Sequence, residues 1–121
     1  MLRSMMQVYV KGSVAAVNLY REAFRAEVLG LYPDEDGGYM HSELNACGQI
    51  LAVSERKDSL TVGNTMQFCF HFGEGGEEQV RHAYQVLRDG AAVETPIGPC
   101  DWSPCMFSLV DRFGVSWCLF V

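Results

Sequence analysis

One order of predicted elements occurs twice along this chain, and it is the feature that most restricts the fold. In the first half, residues 5–11 alternate like a strand, and a helical pattern follows over 14–24. Three more segments with strand character come at 27–32, 39–46 and 49–55. The strands are recognised by apolar residues at period two and the helix by its apolar stripe. The first half therefore predicts the order strand, helix, strand, strand, strand.

The same order begins again after a polar linker at 56–64. MQFCFHF, residues 66–72, is predicted to be a strand with its phenylalanines on one face. A helical pattern over 77–89 ends beside Gly90, and glycine is common just past a helix end. Strand character then returns in three segments, the first of which is expected to break where proline and glycine cluster. The segments are 91–97, 105–110 and 115–121, and the break falls at Pro96, Gly98 and Pro99.

A few identical residues recur in the same order in both halves, which supports an internal repeat. Coincidence between two similar amphipathic units is the alternative explanation, and it leaves the element order unchanged. The recurring pairs are Met6 with Met66, Gln7 with Gln67, Tyr20 with Tyr84, Ser42 with Ser108, and Gly48 with Gly114.

Two such units predict an α+β protein made of two βαβββ modules. Neither unit can bury both its sheet and its helix stripe alone, so we expect curved mixed sheets that form a cup with the helices outside. The concave face of a cup is the default place for a ligand. We predict a single domain over 1–121, with module one at about 1–56 and module two at about 65–121.

Composition narrows the functional class. Hydrophobic residues make up 49% of the 121 residues, which is enough for a core. The net charge of −6 opposes binding to a phosphate backbone, so no nucleic-acid partner is expected. No apolar run reaches the length of a membrane span, and the N-terminus does not read as a signal peptide. The five cysteines contain no CxxC pair, and we expect reduced thiols in a cytoplasmic protein without a membrane partner.

Three stretches carry a resemblance to a known family. They are VNLYREAFRAEVL (17–29), MHSELNACGQILAVSE (40–55) and DWSPCMFSLVDRFGVSWCLFV (101–121). Together with the element order, they resemble the vicinal oxygen chelate superfamily, which includes glyoxalase I, bleomycin and fosfomycin resistance proteins and extradiol dioxygenases. Within it, the PhnB-like branch is most similar. The resemblance covers nearly the whole chain and implies a glyoxalase-like fold.

The resemblance also implies where a metal would bind. Catalytic members hold it with His, Glu and sometimes Gln at four cup-facing positions in the first and last strands of the two modules. Carried over one position at a time, these are Met5, Ala52, Gln67 and Cys118. Ala has no donor atom, Met is a soft ligand, and no carboxylate is present. We therefore expect no cofactor and no usual metal set, with a divalent metal as the alternative.

His41 and Glu43 are the catalytic candidates of the first module. With period two they share one strand face, so His41 can be a general base that Glu43 orients, or both can be ligands. A solvated polar face of a half-exposed strand is the alternative explanation. The PhnB-like branch resembles this chain at MHSEL, the stretch that contains both residues.

Five residues of the second half are the ligand-binding candidates. Gln67, Cys69 and His71 share the strand face opposite the phenylalanines. Trp102 can cover a flat ligand or simply pack, and Cys118 is either a nucleophile or a buried structural thiol.

These observations predict a PhnB-like protein that binds a small molecule, forms a homodimer and has lost the usual metal-ligand set. Two alternatives follow from the same resemblance. One is a metal-dependent glyoxalase- or dioxygenase-type lyase or isomerase using His41, Glu43 and Gln67. The other is a resistance-type protein that binds a drug-like compound, as bleomycin resistance proteins do, without turnover.

Overall fold

The computed structural model describes all 121 residues and divides into two compact units, Met1–Thr61 and Val62–Val121. Each unit contains one helix and one four-stranded mixed sheet, and the element order in each is strand, helix, strand, strand, strand. The predicted α+β class with two βαβββ modules is therefore confirmed. Both sheets are open rather than closed into barrels.

The first unit pairs its first strand in parallel with its last. The sheet has the order β1-β4-β3-β2, in which β1 and β4 run parallel while β2, β3 and β4 are antiparallel neighbours. This order is what a crossover helix between β1 and β2 produces, since parallel neighbours need a long connection. The elements are β1 Met6–Val10, α1 Ser13–Phe24, β2 Glu27–Pro33, β3 Tyr39–Ala46 and β4 Gln49–Glu55.

Helix α1 covers one face of the first sheet. Its buried stripe contains Val17 and Tyr20, which lie over alternate strand residues such as Leu44 and Leu51 that have no solvent exposure. Val14, in the first turn of α1, is exposed and lies outside this stripe. Alternation in β3 leaves the intervening residues only half-buried on the opposite side of the sheet.

The second unit repeats this arrangement with strand order β5-β8-β7-β6, and β5 pairs in parallel with β8. Helix α2 lies within the predicted helical pattern, and its buried stripe is Val80, Ala83, Tyr84 and Leu87. The elements are β5 Phe68–His71, α2 Glu77–Leu87, β6 Ala92–Cys100, β7 Ser103–Val110 and β8 Ser116–Phe120.

Trp117 is the centre of the second core. Its ring is fully buried and meets the rings of Phe68 and Phe70 edge-on, at centroid distances of 5.4 and 5.6 Å. Tyr84 of α2 lies 5.0 Å from Phe107 on the same side of the sheet. Edge-to-face contacts of this kind stabilise a core beyond simple burial. The predicted placement of the strand phenylalanines beneath the helix holds for Phe68 and Phe70.

The start of α1 differs from the sequence-based expectation. Serine before a helical pattern predicts a side-chain cap, but Ser13 is already the first helical residue, and its cap residue Gly12 makes no side-chain cap hydrogen bond. Instead, the Glu55 carboxylate accepts hydrogen bonds from the backbone N–H groups of Gly12 and Ser13 and from the Ser13 hydroxyl. Burial opposes ionisation of Glu55, yet these donors leave its pKa below the ordinary value. Glu55, from β4, thus caps the start of α1 in place of the Ser13 side chain that the sequence predicts.

The predicted break in the second half is also wrong. Strand β6 continues to Cys100 through Pro96, Gly98 and Pro99, with register shifts on both sides of Gly98. It can do so because β6 is an edge strand, where proline does not remove a required ladder hydrogen bond.

The repeat is confirmed in its element order but not in every residue pair. Gly48 and Gly114 both occupy turns between the last two strands of their units, with φ of 91° and 88°. Ser42, however, lies on the helix-covered face, whereas Ser108 is the register partner of Cys118 on the opposite face. The strand registers around the two turns differ by one residue, and a one-residue slip turns a side chain to the other face.

Neither helix has the length and apolar character that crossing a membrane would require.

The turn between β7 and β8 is organised by one buried carboxylate. Asp111 is 4% exposed and its Oδ1 accepts hydrogen bonds from the backbone N–H groups of Phe113 and Val115, at 2.9 and 3.1 Å. Its Oδ2 accepts a hydrogen bond from the indole Nε1–H of Trp117 at 2.9 Å. The DRFG turn is therefore tied directly to the central core residue of unit 2.

Replacing Asp111 by alanine should lower the free energy of unfolding by about 2–4 kcal/mol, because it leaves buried N–H donors unpaired. Urea unfolding followed by circular dichroism measures this loss. Asp101→Ala is the matched control, since Asp101 is exposed, and it should change stability by less than about 0.5 kcal/mol. Equal effects of the two substitutions would contradict the role assigned to Asp111.

Candidate functional site: the helix-free faces of the two sheets

Each sheet has one face that no helix of its own unit covers. We call the side opposite α1 the open face of unit 1; register places Gln7, Ala52 and Glu43 on it side by side. We call the side opposite α2 the open face of unit 2; it carries Cys69, Cys118 and Ser108 in the equivalent row. The chemistry of the two faces differs.

The open face of unit 1 carries a charged network. The Arg3 guanidinium donates to both carboxylate oxygens of Glu43, with Nη2 at 3.1 Å from Oε2. His41 Nε2 lies 3.0 Å from the same Oε2. The predicted pair His41 and Glu43 is therefore in direct contact, and sequence reasoning missed Arg3. Arg3 precedes every strand and lies 40 positions from Glu43, so no local pattern signals it.

The network fixes the charge of Glu43. Hydrogen bonding from Arg3, and then from His41, lowers the pKa of Glu43 to about 2. A carboxylate with this pKa stays ionised at neutral pH and is a poor general base. Glu43 holds His41 through this hydrogen bond, and the ring of His41 also lies 6.0 Å from the ring of Tyr32.

The open face of unit 2 carries thiols. Cys69 and Cys118 are register partners on the parallel strands β5 and β8. Cys69 is exposed and its Sγ lies 3.8 Å from Oε1 of Gln67, whereas Cys118 is only 7% exposed. Burial, followed by the nearby thiols of Cys69 and Cys100, raises the pKa of Cys118 to about 11. Cys118 therefore keeps its proton at neutral pH, which does not suit a nucleophile.

Aromatic rings continue the same face beyond the thiols. Phe120 is the register partner of His71, and their rings stack at 4.6 Å. Trp102 meets Phe120 edge-on at 5.0 Å while remaining 59% exposed. Phe120 thus joins two of the predicted ligand-binding residues, His71 and Trp102. The period-two pattern could have indicated Phe120, because this pattern places Phe120 on the same side of β8 as Cys118.

The residues at the positions implied for a metal do not fit a hard divalent ion. Met5 and Gln67 each lie just before the first strand of their unit, and within the strands Gln7 faces Ala52 while Cys69 faces Cys118. Neither the pair Gln7 and Ala52 nor the pair Cys69 and Cys118 supplies a carboxylate or an imidazole. No three or more His, Cys, Asp or Glu side chains form a group that could hold a metal ion. Glu43 is nearby in unit 1, but both of its oxygens are engaged by Arg3.

Comparison with known proteins supports the fold rather than a reaction. No protein-family profile matches the sequence, and no curated protein is significantly similar to it. Among solved structures, a PhnB protein from Bacillus cereus, named as a 3-demethylubiquinone-9 3-methyltransferase, is similar with a TM-score of 0.78. It is 20% identical, over 98% of this chain and 98% of that chain.

Two further structures are similar at comparable coverage. A Pseudomonas aeruginosa protein has a TM-score of 0.77 at 18% identity, over 99% of this chain and 97% of that chain. A mutant of the fosfomycin resistance protein FosX from Listeria monocytogenes, in complex with Mn(II) and 1S,2S-dihydroxypropylphosphonic acid, has a TM-score of 0.73 at 16% identity. The match covers 98% of this chain and 90% of the FosX chain. The chain shares the fold of these PhnB and FosX structures, which is the glyoxalase-like fold that the sequence resemblance implies.

Replacing Glu43 by glutamine should remove a pH-dependent part of the stability. Because folding lowers the pKa of Glu43 from 4.5 to about 2, its contribution is complete above the unfolded value and is lost as pH falls through that window. The difference in urea midpoint between the wild type and Glu43→Gln should therefore be largest near neutral pH and shrink below about pH 4.5. Glu27→Gln is the control, since Glu27 is an exposed residue of β2. A difference that stays constant from neutral to strongly acidic pH would refute the network.

Proposed function

We propose that this protein, which has the vicinal oxygen chelate fold, binds an organic small molecule on the open face of unit 2 and does so without the divalent-metal set of catalytic relatives. The observation that carries the proposal is the cluster of His71, Phe120 and Trp102 beside Cys69 and Cys118. Gln67 lies at the margin of the same face, against Cys69.

The aromatic cluster suits a flat ligand. The rings of His71 and Phe120 already stack, and Trp102 stands nearly perpendicular to Phe120 with more than half of its surface exposed. Such an arrangement leaves an open ring face against which a planar group can pack. Ligand sites of this type are mainly apolar, with a few polar groups that fix orientation, and His71 and Gln67 supply polar atoms here.

The metal-dependent alternative has less support. It requires Glu43 to give up the Arg3 guanidinium before either carboxylate oxygen can bind an ion. It also requires donors that the rows Gln7–Ala52 and Cys69–Cys118 do not provide. A resistance-type role, in which a drug-like compound is held without turnover, agrees with the aromatic cluster. Among the similar structures, FosX is named as a fosfomycin resistance protein.

We also propose that the two modules form a single domain and that the protein is a homodimer. Each module leaves one sheet face without a helix from its own unit, so association with another sheet is the simplest way to shelter a ligand there. Analytical ultracentrifugation distinguishes a dimer from a monomer of 13.5 kDa chains.

Titration with the flat aromatic probe 1-anilinonaphthalene-8-sulfonate tests the ligand face. We expect saturable binding to the wild type and about 2- to 10-fold weaker binding to Trp102→Ala, since one aromatic contact is lost. Tyr9→Ala is the control, because Tyr9 is an aromatic residue of unit 1 that is similarly exposed, at 49%. Equal weakening by both substitutions, or by neither, would place the site elsewhere.

Protein purified without chelators should contain less than about 0.1 equivalent of Mn, Fe, Ni or Zn per chain, because no three His, Cys, Asp or Glu side chains group together to hold such an ion. Inductively coupled plasma mass spectrometry measures the content. One tightly held divalent ion per chain that persists through dialysis would overturn the metal-free part of the proposal and leave the ligand face untouched.

A further inference from the structure

We propose that Cys69 and Cys118 form a two-thiolate binding site for a soft monovalent cation of the Cu(I) class. This inference goes beyond organic ligand binding, although the site lies on the same open face of unit 2.

The pairing of β5 and β8 places the two side chains side by side. Cys69 and Cys118 are Cα partners, and they point away from the row that contains Phe68, Phe70 and Trp117. Neighbouring strands lie about 4.8 Å apart, and same-face side chains in register begin at about that separation. The two thiols therefore lie side by side on one face of the sheet, where one ion can bind both.

Both cysteines are free thiols, so both sulfurs are available to bind an ion. Cu(I) forms stable complexes with two sulfur ligands, and soft thiolate ligands select it over harder metals.

The surroundings are also soft. Cys100 is close enough to Cys118 to influence its thiol electrostatically, and Met106 is 6% exposed on strand β7 next to β8. No group of three or more harder or mixed donors exists that would suit a four-coordinate ion such as Zn²⁺. The pair meets the two-coordinate requirement of Cu(I) without a third donor.

Exposure gives the site an entrance. Cys69 is exposed while Cys118 is almost buried, so an ion reaches Cys69 first and then bridges to Cys118. When one Cu⁺ binds, two S–H groups release their protons to solvent and two Cu–S bonds form. Oxidation state does not change, and no other reactant is needed.

Competition with the chromogenic Cu(I) chelator bicinchoninate under reducing, anaerobic conditions tests the proposal. The wild type should retain about one Cu(I) per chain, and Cys69→Ser and Cys118→Ser should each weaken binding at least about tenfold, corresponding to the loss of one of two ligands. Cys100→Ser should have a smaller effect than either. Cys47→Ser in unit 1 and Trp102→Phe should bind Cu(I) like the wild type.

Circular dichroism melting establishes that each variant is folded, and the exposed position Cys69 decides the outcome alone if Cys118→Ser is unstable. Copper K-edge absorption should show two sulfur neighbours. The proposal is wrong if Cys69→Ser binds Cu(I) as tightly as the wild type, or if nitrogen or oxygen neighbours dominate. Loss of Cu(I) binding with intact probe binding contradicts this inference alone, whereas the reverse result contradicts only the proposed organic ligand.

Discussion

Each unit of this protein has one helix for a four-stranded sheet, so one face of each sheet has no helix of its own unit against it. The rest of the structure depends on this constraint. A helix can bury only one sheet face, so the period-two alternation of the strands divides their residues into a core row and an open row. In unit 2 the core row contains Trp117, whose indole N–H donates to Asp111 and whose ring contacts the rings of Phe68 and Phe70. The open row next to it is free to carry residues that no core would select.

The two open faces use that freedom differently. In unit 1, Arg3 neutralises Glu43 and Glu43 positions His41, so the face is charged but internally satisfied. In unit 2, the matching row contains thiols followed by aromatic rings, with Gln67 beside Cys69 at its margin. A repeated fold thus holds two chemistries, because the core rows fix the sheet while the open rows place few demands on it.

Much of the fold could be predicted because it depends on local patterns. Alternation correctly separated Phe68 and Phe70 from Cys69, and the helical pattern over 77–89 matches α2 at Glu77–Leu87. The errors arose where a distant residue replaced a local signal: Glu55 caps α1 in place of Ser13. An edge position likewise lets β6 tolerate prolines that break a central strand.

The candidate site was predictable only in part, for the same reason. His41, Glu43, Cys69 and His71 could be assigned to strand faces from period two alone. Their partners could not be. Arg3 reaches Glu43 from outside the strands, and Trp102 reaches Phe120 from the turn between β6 and β7.

The sequence by itself determined the element order, the covered face of each sheet and the residue types on each open face, because these follow from the spacing of apolar side chains along a few residues. The tertiary structure alone decided which of those residues meet. Strand register sets Cys69 beside Cys118 and slips Ser108 to the face opposite that of its predicted counterpart Ser42. Register depends on turn length and on contacts between distant segments, and a one-residue change in it moves every side chain to the other face.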